Sequence, residues 1–315
     1  MLYLVRRFGA LAVVLIVSSF IVFSGMYLAP GSPEQFLVQG RTVSPEVLAS
    51  IRQQYGLNEP FLLRYWHWLM GFFQGDFGRS LVTHQDVSTL LASRAPTTIY
   101  LVLYAAVLII LLGVGIGILA ATRSGVFEKI IIVGSNFGFA VPTFFAALIL
   151  MAIFSVSFGL FPVSGAGEGF VGRIWHLTLP AVALSFPSIA VVARITRTAV
   201  RDEQGTEHVV MAIARGLPRR FVLWRHTIRN SMMPVVTIVG THIAALLAGA
   251  FVIEYAFTLD GLGSLLVNSV QRKDFAVVQA IAIVMVLAFG LINLLIDVLY
   301  AVIDPRVRVS RAGHK

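Results

Sequence analysis

A basic stretch runs from Glu207 to Pro234, EHVVMAIARGLPRRFVLWRHTIRNSMMP. It lies between two long apolar segments and carries five arginines, Arg215, Arg219, Arg220, Arg225 and Arg229. Its start reads as a short helix: Ala212 and Ala214, then Arg215, then Gly216 where a left-handed cap belongs. Pro218 cannot continue that helix. Small side chains on a short exposed helix let its backbone approach another surface closely. A membrane protein with such a helix in its most basic loop is expected to present it to a soluble partner. Basic groups near an inner leaflet also gain about 1 kcal/mol each from anionic lipid, and most of the five arginines are expected to do only that.

The other chemically capable groups are ionisable or amide side chains inside apolar segments, where each is a functional candidate by default. His242 lies eight residues past Pro234, about 12 Å along a helix. It lines a polar pathway or hydrogen-bonds a neighbouring helix. Glu254, 20 residues from Pro234 and about 30 Å along, is expected at the outer interface, facing an entrance or snorkelling. Asn293 and Asp297 fall near the inner end of the last apolar segment, as packing or capping groups or as substrate contacts. The chain contains no GxxxxGK[ST] phosphate loop, no HExxH and no GxSxG. No catalytic residue or metal site is expected, so energy for uphill transport must come from another chain or a coupled ion.

Apolar residues make up 57% of the 315 residues and charged ones only 12%, which argues against a water-soluble class. The absence of cysteine excludes disulfides and thiolate chemistry. The net charge of +9 is concentrated at the flanks of apolar segments, so it reads as membrane topology rather than nucleic-acid binding.

Between Arg7 and Glu34 lie 26 uncharged residues. Phe8 to Leu28 is expected as a retained first span, since a secretory signal would be shorter and end at a small-residue cleavage site. Residues 30–95 are polar enough to lie outside the bilayer. Within them Ser44-Pro45-Glu46 opens a helix that Gly56 closes. Phe61 to Phe73 is too short to span, with Tyr65, Trp66 and Trp68 suited to an interface. Gly75-Asp76-Phe77-Gly78 forms a turn.

Five more charge-poor stretches follow. Arg94 and Arg123 bracket the second, with Pro96 at its start and Gly113, Gly115 and Gly117 inside. Lys129 and Glu168 bracket the third, with Gly134 and Gly138. Arg173 and Arg194 bracket the fourth, broken by Pro180 and Pro187. Arg229 and Glu254 bracket the fifth, opened by Pro234, and Asp274 and Asp297 bracket the sixth. The glycines point to close helix packing. Six spans put both termini on one side. That side, with the loops after spans two and four, holds about 16 of the 24 basic residues, so it is expected to be cytoplasmic.

Residues 207–234 resemble the EAA coupling loop of inner-membrane permeases of ATP-binding-cassette importers, in the dipeptide, oligopeptide and nickel variant. The family run is close to DYVRTARAKGL followed by RHALRNALLPVV. Ala212, Ala214, Gly216, Arg225, His226, Arg229, Asn230 and Pro234 match it, whereas Val210, Met211 and Ile213 replace polar or basic positions. The resemblance extends to Tyr3–Arg7, Gly75–Gly78, Arg194–Arg197, Glu254–Gly263 and Asp304-Pro305-Arg306.

It implies an all-α membrane protein with six transmembrane helices and both termini inside. Residues 1–29 form the first helix, 30–95 an extracytoplasmic insertion, 96–303 the permease core with its coupling loop at 201–233, and 304–315 a cytoplasmic tail. It also implies a cytoplasmic coupling helix between helices four and five. There Glu207, Val209, Ala212, Ala214, Arg215, Gly216 and Leu217 would engage the ATPase, and His242, Glu254 and Asn293 are candidates for the translocation pathway. The implied partners are a second permease subunit, two ATP-binding subunits that carry the ATP and magnesium, an extracytoplasmic binding protein, membrane lipid and a short-peptide substrate. No cofactor is expected in this chain and no nucleic acid. A nickel- or glutathione-type importer fits the same pattern. An ion-driven secondary transporter would need a carboxylate at mid-membrane, and Glu254 is placed too far out for that. A membrane scaffold without a pathway is the remaining alternative.

Overall fold

The computed structural model describes residues 2–28, 58–123 and 141–303, with scattered positions at 44–49 and 125–138. Among the described residues the chain is helical, apart from one isolated antiparallel bridge between Arg79 and Asp86. The helices are α1 (Leu2–Leu28), α2 (Phe61–Phe73), α3 (Val87–Thr122), α4 (Thr143–Ser157), α5 (Gly169–Gln204), α6 (Glu207–Ala214), α7 (Arg219–Ala256), α8 (Leu262–Gln271) and α9 (Phe275–Ile303). Stretches of α3, α4 and α7 widen to π-helical turns, at Ile109–Val114, Met151–Ser157 and Leu223–Ile228.

Five of these, α1, α3, α5, α7 and α9, are long and apolar enough to cross a bilayer, whereas α4 is a shorter apolar helix. The third predicted span, between Lys129 and Glu168, corresponds to α4, but much of the stretch before it lies outside the described residues, as do most of the helix expected from Ser44 to Gly56 and the tail from Asp304.

One compact unit comprises Met1–Pro96 and Gly261–Gly290. In it α2 lies on α1 through aromatic rings. Phe20 meets Phe61 edge-on at 5.8 Å, and Phe23 meets Trp68 at 5.4 Å. The Tyr65 hydroxyl shares a 2.7 Å hydrogen bond with Ser19 Oγ, so the polar end of that ring is satisfied within an apolar contact. The predicted turn is present. Gly75 and Gly78 have φ of 80° and 78°, and the Gly78 amide donates to the Asp76 carboxylate at 2.9 Å. Further on, buried Asp274 accepts hydrogen bonds from Ser80 Oγ (2.5 Å) and the Leu81 amide (3.2 Å). A carboxylate paired in this way pins the 79–86 loop to the α8–α9 turn.

The second unit comprises Thr97–Asp260 and Leu291–Lys315. Its core is built from Leu101, Ile109, Leu184, Val192, Leu246 and Phe257, among others. Glycine sets how closely its helices approach. A Cβ on Gly113 would sit 2.9 Å from the Val192 side chain, and one on Gly117 would sit 2.5 Å from Thr196 Cβ and 2.6 Å from the Ala193 carbonyl. These two glycines are four residues apart and therefore share a face turned to α5. Gly115, between them, meets nothing. Gly240 does the same for α7 against Ile296 of α9, at 2.6 Å.

Three expectations about proline are corrected. Pro96 does not begin the second span but lies well inside α3, which starts at Val87. Pro180 and Pro187 do not break the fourth span, because α5 runs unbroken for 36 residues. Pro234 does not open the fifth, since α7 begins fifteen residues earlier at Arg219. Each proline removes one backbone donor from its helix, and packing against neighbouring helices holds the rest in place. The consequence is length. α5 and α7 span about 54 and 57 Å, against a bilayer of about 40–45 Å with its headgroups, so each is longer than an upright crossing requires.

Candidate functional site

The short helix α6 lies in the chain between the end of α5 and the start of α7. It terminates as the sequence predicts. The Gly216 amide donates to the Ile213 carbonyl (2.9 Å) and the Leu217 amide to that of Ala212 (3.3 Å), with Gly216 at φ 84°. That is a complete Schellman cap, which needs a left-handed residue at this position. A Cβ at Gly216 would meet no neighbour, so the glycine is there for its backbone angle alone.

The two faces of α6 differ. Val209 and Ala212 are buried and close a small apolar cluster with Val222 at the foot of α7. Of the residues expected to engage a partner, these two are turned into the chain, and they place the helix rather than present a surface. Glu207, Ala214, Arg215, Gly216 and Leu217 are exposed, together with three apolar residues not expected there, Val210 (54%), Met211 (54%) and Ile213 (41%). An uncovered row of large aliphatic side chains beside Arg215 suits a protein surface that is apolar at its centre. The signal was present in the sequence as the replacement of polar positions by Val210, Met211 and Ile213.

Polar groups tie α6 to both long helices. Glu203, in the last turn of α5, receives the Asn230 Nδ2 donor at 3.0 Å, and His208 Nε2 lies 3.0 Å from the same carboxylate oxygen. Asn230 Nδ2 and His208 Nε2 are 3.3 Å apart. Beside the site, Pro218, Arg220, Phe221, Trp224 and Arg225 line an open groove of about 560 Å³.

The candidates within the spans do not form one cluster. His242 Nδ1 is 2.9 Å from Ser188 Oγ of α5, so the hydrogen bond to a neighbouring helix is present. Glu254 is fully buried rather than turned to the interface, and neither snorkelling nor an open entrance describes it. Asn293 is half-buried on α9.

Comparison with known proteins agrees with this architecture. The family described as "Binding-protein-dependent transport system inner membrane component" matches residues 113–309, and its N-terminal counterpart matches residues 1–102. The glutathione transport system permease protein GsiC of Salmonella typhimurium is 37% identical over 97% of this chain and 98% of its own. GsiC of Escherichia coli K12 is 35% identical over the same shares. Among solved structures, a chain of the MetNI methionine ABC transporter in inward-facing conformations aligns with a TM-score of 0.54 at 14% identity. That alignment covers 68% of this chain and 96% of that one, a likeness of fold. With two family profiles meeting near residue 110 and relatives aligned almost end to end, the chain belongs to the multi-pass inner-membrane permeases of binding-protein-dependent ABC importers.

Proposed function

We propose that this permease passes short peptides inward, with glutathione, itself a tripeptide, as the first substrate to test. The names carried by relatives 35–37% identical over nearly full length support glutathione, and the general family pattern supports linear di- and oligopeptides. The chain would pair with a second permease subunit across lipid. Two ATP-binding subunits holding ATP and magnesium would dock on the cytoplasmic side, and a binding protein would deliver substrate from outside. The proposed topology has six spans with both termini inside, α4 completing the set, and residues 30–95 on the outer face. The core would run over 96–303 with its coupling loop at 201–233, followed by a cytoplasmic tail at 304–315.

The observation that carries this reading is α6, a capped helix with an uncovered aliphatic face set between two helices longer than an upright crossing requires. ATP binding would close the ATPase pair, draw two such helices together and bias the spans between inward- and outward-facing states, a two-state element driven from a remote ligand site. Exposed Glu207, Ala214, Arg215 and Leu217 would touch the ATPase, and Val209, Ala212 and Gly216 would fix the helix. His242, Glu254 and Asn293 are proposed to border the pathway by shaping its packing.

Proteoliposomes holding the complete complex test the proposal. Labelled glutathione should accumulate only with internal ATP and the binding protein, and an excess of unlabelled glutathione should compete better than dipeptides. Uptake that persists without ATP and follows an imposed ion gradient would replace the importer reading with a secondary transporter.

A further inference from the structure

We propose that Glu203, His208 and Asn230 act as a clasp that makes α6 move as one piece with α5 and α7, so that displacement of α6 reaches the spans. The proposal rests on the reading of α6 as the ATPase-docking helix and deepens it. Without the clasp, α6 is held mainly by Val209 and Ala212 against Val222. That is a small apolar contact on which an eight-residue helix could pivot under load.

The three clasp residues come from three elements: the last turn of α5, the first turn of α6 and, at Asn230, a point about three turns into α7. Their geometry allows one consistent arrangement. Glu203 Oε1 is 3.0 Å from both Asn230 Nδ2 and His208 Nε2. Asn230 brings two amide hydrogens and His208, with its Nε2 protonated, brings one, so both donate to the same oxygen. The 3.3 Å approach of the two nitrogens follows from that shared acceptor. With Nε2 unprotonated, His208 would accept from Asn230 and lose its tie to Glu203. The carboxylate is therefore the centre of the clasp and the other two are positioning residues. Side chains of Glu203 and His208 remain 19% and 49% exposed, so the clasp can form and release without opening a core.

The test measures ATP hydrolysed per substrate imported, with the full complex in proteoliposomes. His208→Leu and Asn230→Ala should each raise that ratio about threefold or more, in the range by which residues between coupled sites act, while the ATPase subunits still co-purify. His208→Gln, whose Nε2 can still donate, should stay near the wild-type ratio. The double variant should be little worse than either single one, since both remove the same linkage. Should Asn230→Ala fail to accumulate, Glu203→Ala, which removes the shared acceptor, reads the same effect. A role in packing alone would lower thermal stability and yield but leave the ratio unchanged, and that outcome overturns the clasp. If the wild-type chain does not associate with the ATPase at all, the docking reading falls with it. If association is normal and the variants keep the wild-type ratio, only the clasp falls.

Discussion

At the scale of single residues, the informative positions are those where one atom or one angle is decisive. Gly216 is such a case. Open space surrounds it, so any penalty for a side chain comes from φ 84° alone. For an L-residue that costs about 1–2 kcal/mol. Gly216→Val should insert normally yet lower uptake by about tenfold, the equivalent of about 1.4 kcal/mol, while ATP hydrolysis continues. Uptake and hydrolysis measured side by side check this. The cap was legible beforehand because only a few residue types occupy a left-handed position. Glu254 was not. Counting 1.5 Å per residue gave its height along α7 but could not show which neighbours would enclose its carboxylate.

At the scale of elements, the lesson is helix continuity. Pro180 and Pro187 read as breaks and Pro234 as a helix start, yet α5 and α7 pass through them. A local rule counts the missing backbone donor, whereas a membrane-embedded helix also answers to the neighbours that pack around it. Glycine works in the opposite sense, since its value is visible only against a partner. Gly113 and Gly117 meet α5, whereas Gly115, with the same sequence credentials, faces no neighbour. Gly117→Leu should therefore destabilise the α3–α5 contact by about 1–3 kcal/mol, the usual range for overpacking. Gly115→Leu should change little. Thermal unfolding in detergent separates the two, and equal losses would contradict the assigned contact.

At the scale of the whole molecule, the apolar composition and the flanking arginines announced a multi-pass membrane protein. The proposed orientation is open to a direct check, helped by the natural absence of cysteine. In Arg215→Cys, the new thiol should react with an impermeant maleimide in inside-out vesicles and stay unlabelled in right-side-out ones. Labelling from the outside would reverse the topology and remove α6 from reach of an ATPase.

The sequence alone determined that the chain lives in a membrane, where its apolar segments fall, that Gly216 ends a short helix and which permease family it resembles. All of these depend on local chemistry: transfer of apolar residues into lipid, allowed backbone angles and matching motifs. Only the tertiary structure decided which glycines touch a neighbour and which face of α6 is left uncovered. It also brought Glu203, His208 and Asn230 onto one oxygen atom. These outcomes depend on which distant side chains share the same few ångströms, and spacing along the chain does not encode that directly.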